Sequence, residues 1–224
     1  MMNRVRHLHP FVSGLLILAL VALLGACASH TKASGADDSD RIKLSQPKSG
    51  QQVAYFAGGC FWSMQAMFGQ LKGVQEVVPG YAGGKTSNPS YEDVCSHTTG
   101  YAETIRIVFD PKVVSYRQLL TIFFSAHDPT TLNRQGDDEG TNYRSAIFYK
   151  TAAQKADALD AVADTNKTLG GDSVVTQVVP YTNFYAAEMY HNHYFARHPD
   201  ESYCAYVVAP KVQKFQSHWR AWLK

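Results

Sequence analysis

Val53-Ala-Tyr-Phe-Ala57 followed by Gly58-Gly59-Cys60-Phe61-Trp62 is the stretch from which the fold of this chain can be read. The alternating apolar segment ending at Ala57 describes a strand, the two glycines a sharp turn, and the spacing from Phe61 to about Leu71 a helix. Cys60 then falls in the first turn of that helix. There the positive end of the helix dipole and free backbone N–H groups favour thiolate over thiol, and thiolate is the nucleophile. The two aromatic residues that follow supply an apolar wall. The competing reading of Cys60 is a small buried hydrophobe, the usual fate of a free cysteine.

Working outward, Val74 to Val78 reads as a strand that stops at Pro79-Gly80, and the turn-rich run after it puts Tyr81 and Tyr91 on or beside a loop. Ala102 to Phe109 alternates as a strand, and Ser115 is placed to cap a helix running to about Ala126. A long polar loop, His127 to Arg144, leads to a short strand at Ser145–Tyr149. Thr151 caps a helix through about Leu169, Val174 to Val179 is a further strand, Glu188 to Arg197 a short helix, and Pro210 opens a final one. Short strands alternating with helices across long loops predict an α+β fold, a two-layer α/β sandwich with a mixed sheet close to a ferredoxin-like, split βαβ core.

The first residues read as an address. Arg4 and Arg6 precede an apolar run from Phe11 to Leu24, too short to span a membrane and right for a secretory signal over residues 1–26. Leu24-Gly25-Ala26-Cys27 resembles the lipobox of bacterial lipoproteins, which would make Cys27 the lipid-bearing first residue of an exported, membrane-anchored periplasmic protein. The alternative is a soluble periplasmic protein cleaved at a small-x-small site. Residues 27–51, rich in Ser, Lys, Asp, Gly and Gln, read as a flexible tether unable to build a core, and 52–224 as a single domain expected to act as a monomer. Residues 1–26 hold two of the 21 basic groups and none of the 19 acidic ones, so the remainder carries equal numbers of each, which argues against a nucleic-acid partner. Cys60, Cys95 and Cys204 remain after Cys27, an odd count that favours redox chemistry over a disulfide scaffold without saying which pair forms.

Eight blocks then match one family together. They are Gly59-Cys60-Phe61-Trp62, Gly80-Tyr-Ala-Gly-Gly84, Asn88-Pro-Ser-Tyr91, Val94-Cys-Ser96, Thr99-Gly-Tyr-Ala-Glu103, His127-Asp-Pro-Thr-Thr131, Asn133-Arg-Gln-Gly136 and Gly140-Thr-Asn-Tyr-Arg-Ser145. From about Val53 to Phe215 the chain resembles class A peptide-methionine sulfoxide reductases. The resemblance implies reduction of the S epimer of methionine sulfoxide, free or in oxidised proteins, with no metal or organic cofactor. It places the nucleophile on Cys60, the acid on Glu103, oxygen-binding groups on Tyr91, Asp138 and Tyr143, and the substrate's methyl pocket on Phe61 and Trp62. Cys204, in a polar stretch expected to be mobile, is assigned as resolving cysteine, and Cys95, read as part of a packed turn, as inert. An external dithiol reductant of thioredoxin type is expected to recycle the enzyme. Gln65 and Tyr101 stand where the family often has Glu and His, which raises a question of packing and not of chemistry.

Those residue types suit the chemistry. A sulfoxide sulfur becomes electrophilic when its oxygen is protonated or strongly hydrogen-bonded, and a carboxyl kept neutral by apolar surroundings can supply that proton. Tyrosine hydroxyls can bind the same oxygen. Other readings are open: a cysteine hydrolase with His127 or His191 as base, a metal site at Glu188, His191 and His193, or a surface lipoprotein that only binds partners.

Overall fold

The computed structural model describes residues 38–224, so the expected leader 1–26 and Cys27 lie outside the described residues. Six strands form one mixed sheet: β1 (Gln52–Gly58), β2 (Val74–Ala82), β3 (Ala102–Phe109), β6 (Ser145–Tyr149), β7 (Gln177–Pro180) and β8 (Phe184–Ala186). Between β3 and β6 a small hairpin of β4 (Arg134–Gln135) and β5 (Asp138–Glu139) occupies the loop expected to be structureless. The order across the sheet is β7-β6-β1-β3-β2-β8, with only the β6–β7 pair parallel. The central four strands with α1 (Phe61–Phe68) and α3 (Tyr116–Ala126) are the expected split βαβ unit. α4 (Ala152–Leu169) supplies the crossover that a parallel neighbour requires.

Strand alternation builds the two sides of the sheet. Phe56, Ile105, Ile107 and Ile147 turn toward α1 and α3, where the Phe56 and Phe123 rings lie 5.0 Å apart. Tyr55, Ala57, Ala102 and Phe148 face the other way, under Tyr181 and Phe184. Local chemistry ends the helices as expected: Ser115 and Gln118 form a reciprocal capping box on α3, and Thr151 accepts from the Gln154 N–H on α4.

Several expectations are corrected. α1 stops at Phe68, and β2 runs straight through Pro79-Gly80 to Ala82. Proline is tolerated because its carbonyl faces β8 and accepts from the Ala187 N–H, so its missing donor would point to that same side and not into the β3 ladder. Gly80 is required there: a Cβ would lie 2.3 Å from the Tyr185 carbonyl oxygen. Tyr81 is therefore a fully buried strand residue and not a loop residue. The Glu188–Arg197 helix is broken into a single turn at Met189–His191 and α5 (Tyr194–Arg197), because His193 takes a left-handed conformation, φ +52°. Within the described part of the expected tether, Arg41 and Ile42 are each 7 % exposed against the domain, while Asp38–Asp40 and residues 43–50 are exposed. Among the described residues no helix is long and apolar enough to cross a membrane.

Candidate active site

The turn between β1 and α1 delivers the thiol. Gly59 has φ +84°, and a Cβ there would meet the Gln135 side chain at 2.5 Å, so only glycine fits. Cys60 is the N-cap of α1, one position before the first helical residue; its side chain makes no cap hydrogen bond, and the nearby backbone N–H groups of Trp62 and Ser63 favour the charged sulfur only weakly. Burial nevertheless pushes the thiol up to about 12, with the Glu103 charge adding to it. The thiolate expected from the helix terminus is thus overruled: two N–H groups do not offset the loss of water around a sulfur that is 6 % exposed, and the resting group is a thiol.

β3 carries Glu103 beneath the N-terminus of α1, where Oε2 accepts the Phe61 N–H at 3.0 Å. The side chain is 2 % exposed. Burial raises its carboxyl to about 8, against the pull of the Phe61 N–H, and the Asp138 charge pushes the same way. It is therefore a neutral acid at pH 7.

A cavity of about 280 Å³ brings together Cys60, Phe61, Trp62, Tyr91, Glu103 and Tyr143. Tyr91 begins the short helix α2 (Tyr91–Cys95), held by a Ser90–Asp93 capping box, and Tyr143 ends the turn after β5. Burial raises both phenols, so both remain hydrogen-bond donors. A larger cleft of about 900 Å³ also reaches Cys60 past His127 and Trp219. Glu103, Tyr91 and Tyr143 line only the smaller one, which is the chemical site.

Asp138 is not on the cavity wall as expected but behind it. Its Oδ2 accepts the Tyr203 hydroxyl at 2.7 Å, with Lys211 Nζ at 3.9 Å. Tyr203 itself lines the cavity, as do Tyr194 and Glu201, and its hydroxyl is also hydrogen-bonded to Cys60. None of the three was singled out from sequence; the one signal was the position of Tyr203 beside Cys204. Cys204 is not in a mobile polar stretch: it is 0 % exposed at the head of a π-helical turn, Cys204–Val208, that runs into α6 (Ala209–Trp219). Apolar Val208, Val212 and Phe215 tie that turn to the core. Cys95 is half-buried and hydrogen-bonded to the Tyr91 hydroxyl, and burial raises its thiol.

An outer frame aligns the aromatic wall. Trp62 stacks on Tyr194 with ring centroids 3.9 Å apart, and its Nε1–H donates to His191 Nδ1 at 3.1 Å. Buried His191, lowered to about 4 by desolvation, is a neutral acceptor 4.5 Å from the Tyr91 ring. Glu188 Oε2 accepts the Tyr81 hydroxyl at 2.7 Å and Oε1 the Tyr91 N–H at 2.9 Å. These two residues, weighed as hydrolase base and metal ligands, thus brace the pocket. His127 has both ring nitrogens committed, to the Phe123 carbonyl and the Ser145 hydroxyl. Gln65 donates to the Val77 carbonyl and Asn192 and accepts the His193 N–H, a mixed set that a carboxylate could not serve. Tyr101 donates to the Thr86 carbonyl and accepts from Asn183.

With the histidines used as framework, the thiol has an acid and hydroxyl donors for company. That set suits reduction of an oxygen-bearing substrate better than acyl transfer, and the class is a thiol oxidoreductase. The family model of peptide methionine sulfoxide reductase matches residues 52–223. A relative from Picrophilus torridus, a peptide methionine sulfoxide reductase MsrA, is 52 % identical over 164 residues, covering 73 % of this chain and 93 % of its own. One of the same name from Thermus thermophilus is 47 % identical over 174 residues, covering 78 % and 98 %. The solved methionine sulfoxide reductase A of Corynebacterium diphtheriae superposes with a TM-score of 0.65 at 29 % identity, covering 73 % of this chain and 91 % of that one. The chain belongs to the peptide methionine sulfoxide reductase family and is a peptide-methionine (S)-S-oxide reductase.

Proposed function

We propose that the enzyme reduces S-configured methionine sulfoxide, free and in oxidised proteins, through a sulfenic acid on Cys60. The observation that carries this is the neutral carboxyl of Glu103 beside a buried thiol in one aromatic cavity. Phe61 and Trp62 hold the substrate methyl group, Tyr143 donates to its oxygen, and the Tyr91 hydroxyl turns from Cys95 to donate to it as well. Glu103 protonates that oxygen as the Cys60 sulfur bonds to the substrate sulfur. The thiol proton leaves along the Tyr203 hydroxyl to Asp138, the two groups already in line behind it. The substrate S–O bond and the transient bond between the two sulfurs then break as the hydroxyl passes to the Cys60 sulfur, so methionine departs with the two electrons that Cys60 loses and Cys60 is left as the sulfenic acid.

The Cys204 thiol then displaces water from the sulfenic acid, forming a Cys60–Cys204 disulfide, and an external thioredoxin-like dithiol reduces it by exchange. Cys204 begins buried, and the π-helical turn is the element that must open. No metal or organic cofactor enters the scheme. One round of the Cys204→Ser variant with an S-configured methyl sulfoxide is expected to yield one methionine per enzyme and a mass gain of one oxygen at Cys60. A disulfide to Cys95, or no oxygen at Cys60, contradicts it.

The basic start, apolar run and Leu24-to-Cys27 pattern support an exported enzyme anchored through a lipid on Cys27. Cells fed a labelled fatty acid should then label the protein, and Cys27→Ser should remove the label; equal labelling of both defeats the anchor.

A further inference from the structure

Arg41 lies before the region shared with the family, which begins at residue 52, yet it is almost wholly buried. Its guanidinium fans over two separate segments. Nε donates to Asn88 Oδ1 at 2.8 Å, one terminal nitrogen donates to the Pro89 carbonyl at 2.6 Å, and the other to the Ala186 carbonyl. An exposed Asp38 carboxylate lies 3.7 Å from Nε, and the Tyr185 ring lies under the guanidinium carbon at 5.7 Å. The backbone follows the side chain: Arg41 bridges Glu188 in antiparallel fashion, and the Ile42 N–H donates to the Ala187 carbonyl at 2.9 Å.

The three guanidinium hydrogen bonds fall on the two segments that lead to Tyr91 and to Glu188. Asn88 has a left-handed backbone, φ +46°, a conformation asparagine adopts more readily than other residues with a side chain, and Pro89 and Ser90 follow it directly into Tyr91. On the other side, Ala186 and Ala187 lead into Glu188, whose carboxylate accepts the Tyr91 N–H. The guanidinium therefore crosses from the turn before Tyr91 to the strand before Glu188, flanking the Tyr91 N–H bond to Glu188 that joins them. Burying a guanidinium is costly unless its donors are met, and here its three nitrogens reach separate acceptors on two segments, whereas the three donors of an ammonium radiate from a single atom.

We propose that Arg41 is a positioning residue of the active site, clamping the Tyr91 turn against the Glu188 strand so that the Tyr91 hydroxyl is presented to the substrate oxygen. The segment before the shared domain is then a strap on the active site, where composition suggested a tether. The proposal rests on the role given above to Tyr91, and the experiment separates the two.

Full-length Arg41→Lys, which keeps the charge and loses the fork, is compared with wild type by hydrogen exchange and by steady-state turnover of an S-configured methyl sulfoxide. Amide exchange across residues 88–95 should rise at least tenfold while β3 and α3 keep their protection. kcat should fall roughly tenfold with KM within about twofold, a loss on the scale of one misplaced transition-state donor. In the Tyr91→Phe background the same substitution should cost less than about twofold, since the hydroxyl it positions is gone. Arg41→Gln, shorter and neutral, gives the same pattern if the lysine variant does not fold. Unchanged exchange over 88–95 overturns the clamp. An equal loss of kcat in both backgrounds overturns the positioning role. Tyr91→Phe at the wild-type rate removes the catalytic reading of Tyr91 and this proposal with it, while the exchange data still report whether the clamp exists.

Discussion

Serine at position 60 is expected to reduce turnover of S-configured methionine sulfoxide by on the order of 10⁴-fold or more, the scale on which loss of a catalytic nucleophile acts. The substitution changes one atom and leaves the turn intact, because Gly59, the N-cap position and the Trp62 and Ser63 N–H groups are backbone features. What is lost is a sulfur able to take up oxygen: an alcohol has no sulfenic acid to form. Circular dichroism should be unchanged, and steady-state assays with a dithiol reductant should sit at background. Retained turnover above a few per cent would place the reacting thiol on Cys95 or Cys204.

Glutamine at position 103 carries the second large effect, in two directions. Activity should fall by roughly 10²–10⁴-fold, the usual contribution of a positioned general acid. In the wild type, kcat/KM should be level below about pH 8 and decline as Glu103 ionises there; the variant should lack that decline. Stability moves the opposite way. The folded carboxyl stands at about 8 against 4.5 in the open chain, so between those values the folded state binds the extra proton and stability drops as pH rises. Glutamine keeps an acceptor for the Phe61 N–H and removes that penalty. At pH 8 the variant should therefore unfold at higher denaturant, by on the order of a few kcal/mol. Equal stability at pH 8 and equal pH profiles would together show an ordinary solvated carboxylate.

How much of this was legible in the sequence follows from which forces are local. Ser115 and Thr151 cap their helices through bonds to residues three positions on, and both helix starts were readable for that reason. The turn at Gly58–Gly59 and the strand Ala102–Phe109 were equally plain. β8 and the passage of β2 through Pro79 were not, because they depend on each other across the sheet, more than 100 residues apart in the chain. The same holds at the site. Cys60, Glu103, Tyr91 and Tyr143 could be named from family blocks, whereas Tyr203 and Tyr194 arrive from the C-terminal segment by tertiary packing. The protonation state of Cys60 was misread for a related reason: the helix terminus is visible in the sequence, but the burial that outweighs it is not. Arg41, in a stretch whose composition suggests a tether, is buried only because carbonyls at Pro89 and Ala186 happen to face it.

The most direct measurement is a carbon-13 NMR titration of the Glu103 carboxyl in the reduced, full-length enzyme, assigned with the Glu103→Gln variant. A midpoint near 8, with the carboxyl neutral at pH 7, is the expected result. A midpoint near 4.5 contradicts a neutral acid beside the thiol and removes the proton on which the proposed reduction depends.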